Sequence, residues 1–382
     1  MTELETCLAM SETDATDRLL RRIRDYVEHE TPSGDEAALL RLAALVEEDL
    51  TGCGATVQRF DAPGLGRNLL ATIPGERADD SPVVAMAHMD TVHPVGTLAE
   101  RPIRREDGRV YGPGIYDMKS GLATIVEALA WLREQGRRPR RNVHVLVTCD
   151  EEIGSHSSHD LIIGQARNAA AVLVPEPCMP DGGVKTARKG VATYRVSAHG
   201  QAAHAGIDGH LAVSATAELV HALCAVLDLA RHDRGTTINV GLMNGGTASN
   251  VVPAHAEAVV DVRLAEPDEG ARVHGALVAL RARNPKARLV IEQTESRPPL
   301  VRTDEVVALY HHARDLAAAL GVDLAEGGTG GGSDGSIAAS VGAAVLDGLG
   351  VQGGGAHAID EHIVVADLPF RLALMARLLE TL

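Results

Sequence analysis

Short apolar runs of strand length, separated by helical periodicities and interrupted once by a stretch of different texture, limit the folds open to this chain. Residues 68–73, 83–87 and 143–148 are such runs, and a helical segment such as 121–135 lies between them. An N-terminal stretch (13–50) carries Leu19, Leu20, Ile23 and Val27, then Leu39, Leu42, Val46 and Leu50, at helical spacing. The sequence Glu30-Thr31-Pro32-Ser33-Gly34-Asp35 breaks it with a turn and a fresh helix start. Alternating strands and helices of this kind make an α/β layered domain with a mixed sheet flanked by helices.

From about residue 184 the pattern changes. Val191, Tyr194 and Val196 mark a half-exposed strand, followed by a helix over 211–229, strands over 236–243 and 256–264, a helix over 269–283 and a strand over 287–292. That order, βαββαβ, is the ferredoxin-like α+β unit. After Pro298-Pro299 the α/β texture returns, with a helix over 306–320, a strand over 343–347 and a terminal helix from about 366. The expected organisation is one α/β domain (1–183 and 298–382) interrupted by an inserted domain (184–297). A chain of 382 residues is long enough for two domains at ~150 residues each.

Composition removes several functions. Lys+Arg 36 against Asp+Glu 52 leaves a net charge of −16, which repels nucleic acid and anionic membranes alike. Aromatic residues make up 2%, too few for base-stacking platforms. No run approaches the ~18 apolar residues of a membrane span. Cys7, Cys53, Cys149, Cys178 and Cys224 are scattered without a CxxC pair, so neither a disulfide framework nor a thiolate zinc site is expected. The acidic start lacks an apolar leader core, and the expected compartment is the reducing cytoplasm.

The chemistry sits just after the strands. The 83–87 run leads into His88-Met89-Asp90, where Asp90 can orient the imidazole of His88. Gly112-Pro113-Gly114-Ile115-Tyr116-Asp117 places a carboxylate in a Gly-rich turn, and the 143–148 run ends in Cys149-Asp150-Glu151-Glu152. Residues 171–174 end in Pro175-Glu176-Pro177, and Gly353-Gly354-Gly355-Ala356-His357 follows another apolar run. Alone, each is more often a surface pair, a solvated loop or a rigid turn. Together they bring hard and borderline ligands to strand carboxyl ends, which gather at one crevice in α/β sheets. Two His and several carboxylates without a thiolate suit Zn²⁺ or a similar divalent ion.

AHMDTVHPVG, GPGIYDMKSG, TCDEEIGS, VPEP, KGVATYRVSAHGQAAHAG, SNVVP, VDVR, GGGSDG and GGGAHAIDE occur in this order along the chain. In this set the sequence resembles the M20 metallopeptidases, specifically the glutamate carboxypeptidase branch, over essentially its whole length. The resemblance implies a zinc-peptidase-like catalytic domain and a ferredoxin-like lid that also forms a homodimer interface. It makes His88 and Glu176 ligands of one zinc, Glu152 and His357 ligands of the other, and Asp117 the bridge. Co²⁺ or Mn²⁺ would be substitutes. Glu151 matches the general base, Asp90 the partner of His88, and His204 a lid histidine that reaches a catalytic cleft. The peptide after Asp117 is expected to be cis.

Arg263, Arg297 and Asn250 match substrate-binding positions, and Gly332 lets backbone approach a small-molecule amide or peptide substrate with a free carboxylate. The implied activity is removal of a C-terminal amino acid, with glutamate expected, from an N-acyl or peptidyl amide by metal-activated water. Two alternatives stay open: an N-acyl amino acid deacylase of the acetylornithine or succinyl-diaminopimelate type, and a catalytically silent binding protein on the same scaffold. Residues 207–212 depart from the Pro-Glu pair usual after HAG, and no lysine aligns with the one that helps bind glutamate. The remaining histidines, His93 among them, read as structural or surface groups, and Trp131 as core.

Overall fold

A computed structural model describes residues 12–382, so Cys7 and most of the acidic opening lie outside the described residues. Helices α1 (Glu12–Val27) and α2 (Glu36–Gly52) come first, then strands β1 (Thr56–Ala62), β2 (Gly66–Ile73) and β3 (Val83–His88). Strands β4 (Arg104–Glu106) and β5 (Arg109–Tyr111) precede helix α3 (Ser120–Glu134), strand β6 (Val143–Thr148), helix α4 (His159–Ala166), and strands β7 (Ala171–Val174) and β8 (Val184–Arg188). Next come β9 (Gly190–His199), β10 (Ala203–His204), α5 (Ala215–Leu227), β11 (Thr237–Gly245), β12 (Val251–Val252), β13 (His255–Leu264), α6 (Pro267–Ala279) and β14 (Arg288–Arg297). The chain closes with α7 (Asp304–Ala319), β15 (Glu326–Thr329), α8 (Asp334–Ala339), β16 (Val345–Asp347), β17 (Gly353–Gly354), β18 (His362–Val364) and α9 (Leu368–Thr381).

Two compact units result. The first holds the chain up to Ala187 together with Arg302–Gly328 and Ser333–Leu382; the second holds Arg188–Val301 and Thr329–Gly332. In the first, an eight-stranded sheet runs β1-β2-β6-β3-β7-β16-β8-β15. Its centre is parallel: β6, β3, β7 and β16 all point the same way. Every residue of β3 is buried, as parallel strands covered on both faces must be. Burying side chains such as Val83, Val84 and Met86 stabilises this layer by roughly 1.5–3 kcal/mol each.

Helix α2 is capped by Asp35, whose carboxylate accepts the N–H of Ala38, and Leu39, Leu42, Val46 and Leu50 bury one face. Helix α3 is apolar nearly all round and buried from Ser120 to Leu129. At its start, a Cβ on Gly121 would stand 2.0 Å from the carbonyl oxygen of Pro175, so only glycine lets the helix meet the end of β7 this closely. Trp131 is core, as expected.

The second unit is built on a four-stranded antiparallel sheet in the order β11-β13-β9-β14. Strand β13 alternates buried and half-buried residues, and its buried Ala258, Val260 and Val262 join a core with Tyr194, Val196, Leu219, Leu223 and Leu277. The element order is βαββαβ, with the small β10–β12 ribbon added.

Two features differ from the sequence expectation. The 56–62 segment is a strand that its mixed polar sequence, TVQRFDA, did not reveal, and it pairs with β2 over seven residues. Strand β8, with the sequence VKTAR, belongs to the large sheet. The second unit accordingly starts at Arg188, and it includes the glycines Gly330–Gly332. Within the Gly-rich 327–335 segment, β15 occupies the start, and Ser333 caps α8 by accepting the N–H of Gly335.

Candidate metal centre

Strands β6, β3 and β7 are neighbours in the parallel core, and their carboxyl ends deliver Glu152, His88 and Glu176 to one place. The other two donors come from a second small sheet, β17-β18-β5-β4, within the same unit. Asp117 follows β5, and His357 lies on the connection between β17 and β18, which pairs with β5. The turn before Asp117 requires Gly114: its φ is +69°, and a Cβ there would stand 2.4 Å from Thr91 Cγ2. The Asp117–Met118 peptide is cis, as expected.

The side chains form two donor sets that share one carboxylate. Nε2 of His88 lies 3.3 Å from Asp117 Oδ1 and 3.5 Å from Glu176 Oε1. Nε2 of His357 lies 3.4 Å from Asp117 Oδ2 and 3.3 Å from Glu152 Oε2. Asp117 thus turns a different oxygen to each histidine. A tetrahedral site with bonds of ~2.0–2.1 Å separates its donors by about 3.3–3.4 Å, so both sets have the spacing of zinc ligands. Donor atoms of His88, Asp117 and Glu152 also fall within 4.8 Å of one another. The other oxygen of Glu152, Oε1, is buried without a hydrogen-bond partner, an acceptor to which a cation or its water can bind. The donor set fits a pair of divalent ions.

The electrostatics agree. Burial pushes the Glu152 carboxyl above the usual carboxylate range. Burial acts the same way on Asp117, but the neighbouring histidines outweigh it and hold Asp117 well below that range. His357 is raised to about 10 by hydrogen bonds with Asp117 and Glu152. For His88, burial opposes the charge, yet Asp117, Asp90 and Glu176 more than compensate and raise its pKa. Three carboxylates around two imidazoles make a pocket that demands positive charge.

Asp90 is fully buried and does more than face His88. His88 Nδ1 is nearest the backbone carbonyl of Asp90, at 3.0 Å, with the carboxylate Oδ1 at 3.5 Å. The Asp90 carboxylate accepts the N–H of Glu151 at 3.1 Å and of Glu152 at 3.2 Å, and the hydroxyl of Ser33 at 2.7 Å. Burial raises its pKa, but the interaction with His88 prevails and keeps it ionised. Glu151, itself buried, is therefore held by its backbone beside Asp90 and Glu152.

Other buried acids were not singled out from sequence. Asp334 accepts from the hydroxyls of Thr148 and Ser155, and Asp150 from the N–H of Ser157 and the hydroxyl of Ser158, so both pin the turn that carries Glu151 and Glu152. Glu361 binds the turn that carries Asp117. Its one sequence signal is its place in GGGAHAIDE, four residues after His357. His93 is not a surface group: it is buried and pairs with Glu361.

The expected substrate residues lie in the second unit, in two groups. His204 and Asn250 meet at the β10–β12 ribbon, where His204 pairs with Val251 and the N–H of Ala205 donates to the Asn250 carbonyl. Arg263 and Arg297 flank the glycine segment. Arg263 donates to the carbonyl of Gly330 and, through two nitrogens, to the carboxylate of Asp261. Arg297 is buried, and its Cδ lies 3.1 Å from where a Cβ of Gly332 would be.

A mixed α/β fold with such a cluster at its strand ends has the donors to hold divalent metal ions in a strand-end crevice. Residues 84–381 match the model of peptidase family M20/M25/M40. The chain is 32% identical over 388 residues to Carboxypeptidase G2 of Pseudomonas sp. (strain RS-16), covering 98% of this chain and 92% of that protein. It is 28% identical over 378 residues to the succinyl-diaminopimelate desuccinylase of Delftia acidovorans, covering 92% of this chain and 94% of that protein. Among solved structures, aminopeptidase PepT from Bacillus cereus superposes with a TM-score of 0.79 at 24% identity, covering 96% of this chain and 98% of that one. An M20 family metallo-carboxypeptidase from Sulfolobus solfataricus gives 0.74 at 17% identity, with 95% and 99% covered, a likeness that speaks for the fold. The chain belongs to the M20 peptidase family.

Proposed function

We propose that the protein is a two-zinc metallocarboxypeptidase that removes a C-terminal amino acid, glutamate first among them, from an N-acyl or peptidyl amide. One observation carries this reading: the two oxygens of Asp117 face His88 and His357 separately, with Glu176 and Glu152 completing the two donor sets. Bound zinc at such a site acidifies water and polarises the amide carbonyl. His88, Glu176, Asp117, Glu152 and His357 would hold the ions. Glu151 takes the proton from the attacking water and returns it to the leaving amine, a shuttle open to a carboxylate that ligates no metal. Asp90 orients His88 and holds the backbone of Glu151.

Arg263 and Arg297 bind the free carboxylate of the substrate, with Asn250, Gly332 and His204 completing the contacts; an arginine fork suits a planar carboxylate. The second unit acts as lid and dimerisation domain. Its edge strand β11 exposes Leu242 and Met243, and helix α5 exposes Val220 and Leu227, apolar surface that a second copy would cover. The expected compartment is the cytoplasm. Among the described residues, no helix is long and apolar enough to cross a membrane.

The desuccinylase relatives favour a second reading, deacylation of small N-acyl amino acids at the same centre. Hydrolysis of a panel of N-acyl amino acids and dipeptides by the zinc-loaded protein separates the two. Release of Glu or Asp from bulky acyl donors supports the carboxypeptidase, and turnover restricted to acetyl or succinyl amides supports the deacylase. No turnover with two zincs bound contradicts both.

A further inference from the structure

We propose that Glu361 is a positioning residue that fixes Asp117 between the two donor sets, an inference that rests on the two-metal reading above. Glu361 is 3% exposed, and its carboxylate is surrounded by donors. Oε1 accepts the N–H of Tyr116 at 2.9 Å and of Asp117 at 3.0 Å. Oε2 accepts the N–H of Gly114 at 2.8 Å and lies 2.7 Å from Nε2 of His93. A carboxylate offers about four acceptor positions, and here four donors fill them.

Three of those donors are backbone amides of the turn that carries Asp117. Turned inward on one anion, they form a nest of the kind that binds phosphate elsewhere, closed here by the protein's own side chain. The amide of Asp117 itself is in the set, so its Cα is held by a charge-assisted bond two covalent bonds from the bridging side chain. The fourth donor, His93, follows β3 and the His88–Asp90 segment, and Glu361 lies on the same connection as His357. One carboxylate therefore joins the three loops that supply His88, Asp117 and His357. Burying an anion costs several kcal/mol unless it is fully paired, which an apolar filler would avoid. The pairing serves a position that a neutral side chain cannot hold. Glutamine would keep one acceptor and turn an NH₂ donor toward either the Gly114 amide or the pair at Tyr116 and Asp117.

The test is competitive zinc titration against a chromophoric chelator, with thermal unfolding and steady-state kinetics, on wild type, Glu361→Gln and His93→Ala. Wild type takes up two zincs. Glu361→Gln should bind at least one of them roughly 10–100-fold more weakly, the effect usual for groups that orient ligands, with turnover partly restored by excess zinc. His93→Ala removes one donor of four and should move zinc affinity the same way by less. A merely structural role would lower the melting temperature and leave zinc affinity alone. Two zincs bound by Glu361→Gln at wild-type affinity overturn the inference. If that variant does not fold, wild-type zinc affinity in His93→Ala overturns it instead. Failure of the wild type to bind two zincs refutes the two-metal reading itself, and the inference falls with it.

Discussion

Asp90 accepts the backbone N–H of Glu151 at 3.1 Å through Oδ1, the same oxygen that lies 3.5 Å from Nδ1 of His88. Asp90 thus touches both His88, whose nearer partner is the Asp90 backbone carbonyl at 3.0 Å, and the residue proposed for proton transfer. Asp90→Asn replaces one acceptor with a donor among groups that already donate. Zinc affinity should fall about 10–100-fold, and turnover at saturating zinc should stay depressed because the Glu151 backbone has also lost its anchor. Zinc titration and kcat, measured together, check this; loss of affinity with full kcat at saturating zinc would separate the two roles.

Glu151→Gln should leave both donor sets intact, since Glu151 belongs to neither. Two zincs should bind with wild-type affinity while hydrolysis falls by about 10²–10⁴, the usual contribution of a general base. The check is zinc stoichiometry alongside kcat. A variant that keeps wild-type turnover would be incompatible with the assigned role.

Zinc should also stabilise the fold, because the unfolded chain has no such site. At a free zinc concentration of 100 Kd, binding one ion adds about 2.7 kcal/mol, so the melting temperature should rise on zinc addition and fall on chelation. Calorimetry with and without chelator measures this directly, and an unchanged melting temperature would contradict the prediction.

The second unit carries its own acid-sensitive tie. Glu269 is buried and accepts from Arg272 at 2.8 and 2.5 Å, Arg234 at 2.9 Å and Thr236 at 2.7 Å. Hydrogen bonds from Arg272 foremost lower its pKa to about 2. A carboxylate whose folded pKa is depressed adds stability above its unfolded pKa of ~4.3 and loses it as pH falls toward the folded value. Glu269→Gln should therefore cost roughly 1.5–3 kcal/mol near neutrality and progressively less between about pH 4 and pH 2. Denaturant melts across that range test it, and a cost independent of pH would count against the charged network as the cause.

What was legible in the sequence followed from chemistry that is local. Strands β3, β6 and β7 declare themselves as short, mainly apolar runs, and the candidate ligands come within four residues of their ends. The ferredoxin-like order was readable because strands and helices alternate there at typical lengths. Strand β1 was hidden because six of its seven residues are not buried, which removes the apolar pattern. Glu361 was hidden for another reason: its partners are backbone amides almost 250 positions away, and amides carry no residue identity. His93 could be read only as structural or surface, because nothing local distinguishes a solvated loop histidine from one whose buried partner lies far along the chain.

Two metal ions are proposed to share Asp117. Diffraction from zinc-loaded crystals, recorded above and below the zinc absorption edge, tests that sharing most directly. Two anomalous peaks ~3.5–4 Å apart are expected, one against His88 and Glu176, the other against Glu152 and His357, with Asp117 between them. A single peak, or two peaks with no Asp117 oxygen bound to one of them, would contradict it.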